Sequence, residues 1–354
     1  MWTLHCGVDD GVKKYTVLLR SDVVVGRCQD ASSVTISVPS TSVSRKHAVF
    51  KATLDESGDP VLSVQDSSKL GTFVNGEKIP SSIEWRLRPG DAVVCGSAHE
   101  YQIKIFQTPA VVCTSCLPTN EREALTSAVA SLGGSLVSDW TEDCTHLCMS
   151  AVTLTAKAIC SLLKGIPFVR SNFFIDLVEA GKSKSPINNI SVERYMPVFA
   201  ERGVNSDKVD LSPNPARACI FRDLCFYFAS QSQLEKFHRI VKLGSGSTKE
   251  LKDVKAATLD WTIKPGIVIM ARDSSSISAT VKAKYDRIVS FLAKHKRRLI
   301  AETEISLAVV YASTDCECNP VDLGGVLNES RLSDLSLMET SEITDFVEQK
   351  RYQP

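Results

Sequence analysis

Short apolar runs, each broken by Ser, Asp, Pro or Gly, dominate the first hundred residues. Residues 14–19, 23–25, 34–38, 48–54, 61–65, 93–95 and 101–105 have the length and β-branched content of strands, and Arg88-Pro89-Gly90-Asp91 reads as a turn. This is the pattern of an all-β sandwich. From Ala110 the period changes. After the brief strand Val111-Val112-Cys113, Thr119-Asn120-Glu121 opens a helix on which Ala124, Leu125, Ala128, Val129 and Leu132 share a face, and Gly133-Gly134 ends it. Strands at 136–137 and 144–149 follow, then a helix marked by Leu154, Ala158, Ile159, Leu162 and Leu163. A strand at 166–169 precedes a third helix bearing Phe173, Phe174, Leu177 and Val178.

Pro186, Pro197, Pro213 and Pro215, set among Ser, Asn and Lys, mark residues 183–216 as a linker. A second, more divergent α/β pattern comes next: a strand at 220–228, a helix at 234–241 and a Gly-Ser-Gly turn. A strand at 267–270, a helix at 285–294 and an apolar run at 307–311 complete it. Beyond Thr314 the chain is polar and weakly patterned, which predicts a disordered tail over 315–354.

A length of 354 residues leaves room for two or three domains, and 43% apolar with 23% charged residues is ordinary for a chain that buries cores. Lys+Arg and Asp+Glu balance at 41 each, a poor basis for avid, sequence-blind DNA binding, which depends on neutralising phosphates. Met1-Trp2-Thr3-Leu4-His5 lacks the basic flank and apolar core of a secretory signal, and no run approaches a membrane span, so no membrane partner is expected. The 12 cysteines are then expected as free thiols.

The candidate chemistry of the first region gathers at predicted turns. Gly26-Arg27, Ser44-Arg45-Lys46-His47 and Gly71-Thr72-Phe73-Val74-Asn75-Gly76 fall at strand ends, where arginines, a lysine and hydroxyls can converge on an anion. In this order and spacing they resemble the forkhead-associated (FHA) family of phosphothreonine readers. The resemblance assigns Ser44 and Arg45 to the phosphate and Arg27 to phosphate and peptide backbone. It puts Lys69 and Thr72 on the neighbouring loop and Asn75 on the peptide main chain. Gly26, His47 and Gly71 take structural roles, with His47 buttressing the Ser44 loop.

The second region, with its Gly-Gly turn and Thr145-His146-Leu147 strand, resembles the BRCT family, with Phe174 standing where that family commonly has tryptophan. Its phosphoserine site maps onto Ser115, Cys116 and Lys157. The third region resembles a second BRCT domain. The implied fold is multidomain: an all-β FHA sandwich (1–107), then two α/β BRCT domains (110–182 and 217–314), each a parallel four-stranded sheet flanked by helices.

That arrangement is similar to the nibrin family, adaptors of the MRN complex in double-strand-break repair. The resemblance implies a non-catalytic docking protein in the nucleus, on chromosomes at sites of damage. Its partners would be phosphorylated Ser/Thr motifs of DNA-damage mediator and end-processing proteins. Nuclease and ATPase subunits of the complex are further implied partners, although residues 315–354 carry none of the family's motifs for the nuclease.

Other chemistries are less well supported. Cys113, Cys116, Cys144, His146 and Cys148 have zinc-like spacing but fall on the BRCT strands and phosphate site, so no metal and no cofactor is expected. Gly244-Ser245-Gly246-Ser247-Thr248-Lys249 lacks the ending of a phosphate loop and reads as a plain loop. No nucleophile elbow or phosphate loop supports an enzyme. Lys282, Lys284, Arg287, Lys294, Lys296, Arg297 and Arg298 offer an alternative, direct DNA contact, or else a solvated helix face.

Overall fold

The computed structural model describes residues 1–8, 11–28, 30, 33–202, 204–253, 266–269 and 279–321. The chain divides into two compact units. One comprises Met1–Ser150 with Val169–Met196; the other comprises Ala151–Phe168 with the chain from Pro197 onward.

The first unit begins with the sandwich: β1 (Trp2–Val8), β2 (Gly11–Val17), β3 (Asp22–Gly26), β4 (Ile36–Ser37), β5 (Ala48–Leu54), β6 (Pro60–Asp66), β7 (Thr72–Val74), β8 (Glu77–Lys78), β9 (Glu84–Leu87), β10 (Ala92–Cys95) and β11 (Ile103–Gln107). A six-stranded sheet runs β2-β1-β11-β10-β7-β8 and a five-stranded sheet runs β4-β3-β5-β6-β9. Alternation builds the core between them. Ala48, Phe50 and Ala52 on β5 point inward with Leu62 and Val64 on β6, against Leu4, Ile103 and Ile105 of the other sheet.

Register decides where the loops go. Val25 pairs with Ala48, and Ala48 pairs with Asp66, so the end of β3, the start of β5 and the end of β6 lie in one row. The loops leaving Gly26, entering Ala48 and leaving Asp66 therefore emerge together.

The unit continues with β12 (Val111–Thr114), α1 (Thr119–Ser131), β13 (Ser135–Val137), β14 (His146–Cys148), β15 (Phe168–Val169) and α3 (Asn172–Lys182). The order is β13-β12-β14-β15, and β12 pairs in parallel with both neighbours. Cys144 precedes β14 instead of belonging to it, and its sulfur accepts the Thr141 N–H, which closes the turn into the strand. Phe174 is buried edge-on to Phe173 and His146, filling the place expected of it.

The sandwich and this sheet share a core. Leu18, from the end of the sandwich's β2 edge, packs with Val112, Leu125, Val129, Phe174 and Leu177. The Leu19 N–H donates to the Ser131 carbonyl (2.8 Å) and the Ile187 N–H to the Lys14 carbonyl (2.7 Å). Asn188 brackets the same edge, accepting from Lys14 N–H (2.8 Å) and donating to Val12 O (2.6 Å). Gly181 makes the approach possible, since a Cβ there would sit 2.8 Å from Leu18 Cγ and 3.0 Å from Thr16 Cγ2. Gly181→Val should therefore destabilise this unit by about 1–3 kcal/mol through overpacking, despite removing a helical glycine. Chemical denaturation measures it, and an unchanged midpoint would contradict a packed seam.

The second unit contains α2 (Ala156–Lys164), β16 (Cys225–Phe228), α4 (Gln231–Leu243), β17 (Ser247–Glu250), β18 (Gly266–Val268), α5 (Ala279–Lys294) and α6 (Glu302–Tyr311). Its sheet is β17-β16-β18, all parallel, with a single parallel bridge from Ile269 to Ile300. Helix α2 packs against α4 and α6, which is why it groups with this unit.

Several sequence expectations need correction. Residues 220–224 are not strand; the chain there turns, and Arg217 is fully buried, its guanidinium donating to the carbonyls of Val309 (2.9 Å), Ser212 (2.8 Å), Val310 (3.3 Å) and Asp210. Ser247-Thr248-Lys249 are strand, not loop, because they pair with Cys225–Tyr227. The linker is no free tether. Its first part holds the sandwich edge, and further on Val198 and Ala200 pair with Val152 while the Glu201 carboxylate accepts the Leu154 N–H at 2.7 Å. Within 315–321, expected as tail, Glu317 and Cys318 are buried: Cys318 is 2% exposed and its N–H donates to the buried Glu304 carboxylate. Met270 and residues 322–354 lie outside the described residues.

Candidate functional site

The three loops of the sandwich end meet around His47, which is completely buried. Its Nδ1 accepts the Ser44 N–H (3.0 Å), and its Nε2 faces the Gly71 carbonyl (3.1 Å). The backbone N–H can only donate and the carbonyl can only accept, so the ring must be the neutral tautomer carrying its proton on Nε2. Burial pushes the His47 pKa below its ordinary value, while the Gly71 bond and nearby Asp66 pull the other way. His47 thus ties the Ser44 loop to the Gly71 turn.

Asp66 lies beneath, and it is there for a reason of register. It continues the inward series Leu62, Val64, so its carboxylate enters the core edge and must be satisfied. Oδ1 accepts from Ser68 Oγ (2.7 Å), Thr72 Oγ1 (2.7 Å) and the Ser68 N–H (3.3 Å), and Ser68 Oγ in turn accepts the Gly71 N–H (2.8 Å). This network fixes the 67–72 turn, and sequence reasoning missed both Asp66 and Ser68. The Asp-x-Ser spacing before a Gly turn was the available signal.

On this base the outward groups converge. The Arg27 N–H donates to the Ser44 carbonyl (3.0 Å), joining the β3 end to the Ser44 loop, and a Cβ on Gly26 would lie 2.1 Å from the Arg45 carbonyl oxygen. Only glycine allows that approach. Ser44 Oγ accepts the Lys69 N–H (3.2 Å), which leaves its own proton to donate. Arg27, Arg45 and Lys69 are exposed, and among the described residues no carboxylate pairs with their side chains. A half-buried hydroxyl donor, in adjoining loops that also carry the exposed cations Arg27, Arg45 and Lys69, suits an anion with several acceptor oxygens.

Two residues assigned to this site do other work. Thr72 is fully buried with its hydroxyl given to Asp66. Asn75, at φ +53°, donates to Asp91 Oδ1 (2.8 Å) and accepts the Ala92 N–H (3.0 Å), so both ends of its amide are engaged by its own turn. Each end of the amide keeps one further hydrogen-bonding capacity, so the assignment of Asn75 to a peptide main chain stays as the resemblance gives it.

In the second region Ser115 is buried and its N–H donates to the Cys148 carbonyl (3.2 Å), while Cys116 is exposed at φ +48°. Lys157 stands in the first turn of α2, in the other unit. Among the described residues no three His, Cys, Asp or Glu side chains converge on a metal position. Burial pushes the Cys148 thiol up to about 12 and lowers His146 to about 4, so His146 is neutral beside Phe173 and Phe174. Two cations of the basic run are committed: Lys284 Nζ to the Leu251 carbonyl, and Arg298 bidentate to Glu304 (2.7 Å twice). Lys282, Arg287, Lys294 and Lys296 remain exposed.

Comparison with known proteins gives matches to the FHA domain over residues 23–96, to the BRCA1 C Terminus (BRCT) domain over 102–178 and to the second BRCT domain on Nijmegen syndrome breakage protein over 215–320. Nibrin of Gallus gallus is 34% identical over 330 residues, 90% of this chain and 43% of its own length. Nibrin of Mus musculus is 32% identical over 314 residues, 88% of this chain and 40% of its own. The chain thus spans about two-fifths of the curated relatives it matches. Among solved structures, the S. pombe Nbs1 FHA-BRCT1-BRCT2 domains match with TM-score 0.52 at 16% identity, covering 97% of this chain and all of that one. The S. pombe Nbs1-Ctp1 complex gives TM-score 0.53 at 18% identity, covering 81% of this chain and 99% of that one.

Proposed function

Since this chain belongs to the nibrin family, and its FHA and tandem BRCT domains are interaction modules, we propose that it is a phosphopeptide-docking adaptor for DNA double-strand-break repair and checkpoint signalling. The observation that carries this reading is that the loops bearing Arg27, Ser44, Arg45 and Lys69 are hydrogen-bonded to one another at one end of the sandwich, braced by His47 and Asp66. A phosphothreonine supplies what that spot lacks: close to two negative charges and three acceptor oxygens. The solved S. pombe Nbs1-Ctp1 complex supports a partner-docking role for the family.

On this reading the BRCT region docks a second, phosphoserine motif through Ser115 and Cys116. The adaptor serves the MRN complex, and it works in the nucleus on chromosomes at sites of damage. The sandwich and the Ser115 loop belong to one packed unit, so a doubly phosphorylated partner would meet Ser44 and Ser115 at a set separation and gain avidity by intramolecular second contact. A phosphopeptide array with paired unphosphorylated controls tests the proposal. Phosphothreonine-dependent capture is expected, and equal capture of both members of every pair would refute it.

A further inference from the structure

The outer surface of the six-stranded sheet carries a side-chain cluster that the loop pocket does not use. Leu4, Tyr15, Ile103 and Ile105 point into the sandwich, so their neighbours His5, Lys14, Lys104 and Phe106 point away from it. Register lines three of these up. His5 pairs with Lys14 on one side and with Lys104 on the other, a single row across β2, β1 and β11. The two lysines therefore start two strand spacings apart, about 9.5 Å, with the imidazole between them. Phe106 belongs to the next row, opposite Thr3, and its ring lies on His5 with centroids 4.1 Å apart and planes tilted by 31°.

Beyond Phe106 the row is closed. Thr3 and Thr16 are buried, and a Cβ on Gly181 of α3 would lie 3.0 Å from Thr16 Cγ2. Phe106 itself is 42% exposed, and both lysines are exposed. Among the described residues no carboxylate forms an ion pair with Lys14 or Lys104. Burial first, and then the Lys14 ammonium, hold the His5 pKa below its ordinary value, so the ring is neutral at pH 7. The face thus presents an open aromatic pair flanked by two uncompensated cations.

A carboxylate-rich peptide would answer the lysines and leave the rings unused. A nucleotide answers both, because every base has a flat π face to stack on Phe106 and its phosphates pair with the ammoniums. The base has to leave its own stack, which a duplex resists and a single strand allows. We propose that this face of the six-stranded sheet is a platform for single-stranded nucleic acid: Phe106, backed by His5, stacks a base, and Lys14 and Lys104 hold phosphates. The platform is separate from the Ser44 loops and does not rest on the phosphothreonine reading. Neutralising only two phosphates also suits a chain whose charges balance at 41 each.

The test uses the full chain and a fluorescein-labelled oligothymidine of about ten nucleotides, read by anisotropy. Affinity should fall with salt at a slope of about −1.4 in log K against log[salt], from two phosphates at about 0.7 each on a single strand. Phe106→Ala should weaken binding about fivefold or more and keep that slope, and Phe106→Trp should keep the affinity. Lys14→Gln and Lys104→Gln should each make the slope shallower by about 0.7. An abasic strand of the same length and charge should bind about fivefold or more less tightly than oligothymidine. Absence of binding, equal affinity for the two strands, or wild-type affinity in a Phe106→Ala protein with an unchanged melting curve overturns the platform. So does a slope that responds to Lys294→Gln on α5 and not to the two sheet lysines, which would place the contact on that helix. A polyglutamate peptide that displaces the strand and itself loses affinity in Phe106→Ala would make the face a peptide site, and also overturns the proposal. If Phe106→Ala does not fold, the slopes of the two lysine variants decide alone.

Discussion

Arg27→Ala should lower affinity for a phosphothreonine peptide at least about a hundredfold while the sandwich stays folded. Hydrogen bonds between charged groups contribute roughly 1.5–3 kcal/mol each, and a guanidinium that grips the phosphate with two donors loses both on truncation. At about 1.4 kcal/mol per tenfold, the lower end of that range already removes two orders of magnitude. The side chain is exposed and makes no hydrogen bond among the described residues, so the core is not expected to notice. Ser44→Ala should cost at least about tenfold. It removes one donor to the phosphate and releases the Lys69 N–H that the hydroxyl oxygen now accepts. Calorimetry on protein with an unchanged melting curve makes the measurement. Wild-type affinity in a folded Ser44→Ala variant would sink the assignment of the pocket.

His47→Ala should act on stability first and on binding as a consequence. The substitution strands the Ser44 N–H and the Gly71 carbonyl and leaves a void in a fully buried site, for a loss of about 2–4 kcal/mol. The same ring sets an acid limit. Because burial holds the folded-state pKa below the unfolded value, the unfolded chain binds the proton first as pH falls. The stabilisation is complete above about pH 6.5, the unfolded value, and declines as pH drops from there towards the folded value. Protonation on Nδ1 also sets a donor against the Ser44 N–H, so phosphopeptide binding should weaken over the same interval. Melting temperatures of wild type and His47→Gln across that range decide the matter. If the two curves fall in parallel, His47 is not the group responsible.

Much of this architecture could be read from the chain because strands and helices write short-range periodicities. The inward series on β5 and β6, the Leu125-Ala128-Val129 face of α1 and the glycine stops all depend on near neighbours in sequence. The pocket was legible for a related reason: Gly26-Arg27, Ser44-Arg45 and Lys69-Gly71 occupy turns, whose residue types answer to local backbone demands. Thr72 and Asn75 mark the limit of the same logic. A turn motif fixes where a side chain starts, and only its surroundings decide which partner it takes.

What the sequence by itself determined was therefore the domain order, the elements and the loop residues that carry charge. Tertiary structure alone decided the rest, by long-range register and packing. The Val25–Ala48–Asp66 row brings loops forty residues apart to one end, and places Asp66 beside all of them, where its local Asp-x-Ser pattern alone could not put it. Packing on α4 and α6 draws α2 into the second unit, and Leu18 binds the sandwich to the first BRCT sheet. Contacts between residues so distant leave no periodic trace in the chain, because the free energy that selects them is the burial of surfaces that exist only once each element has formed.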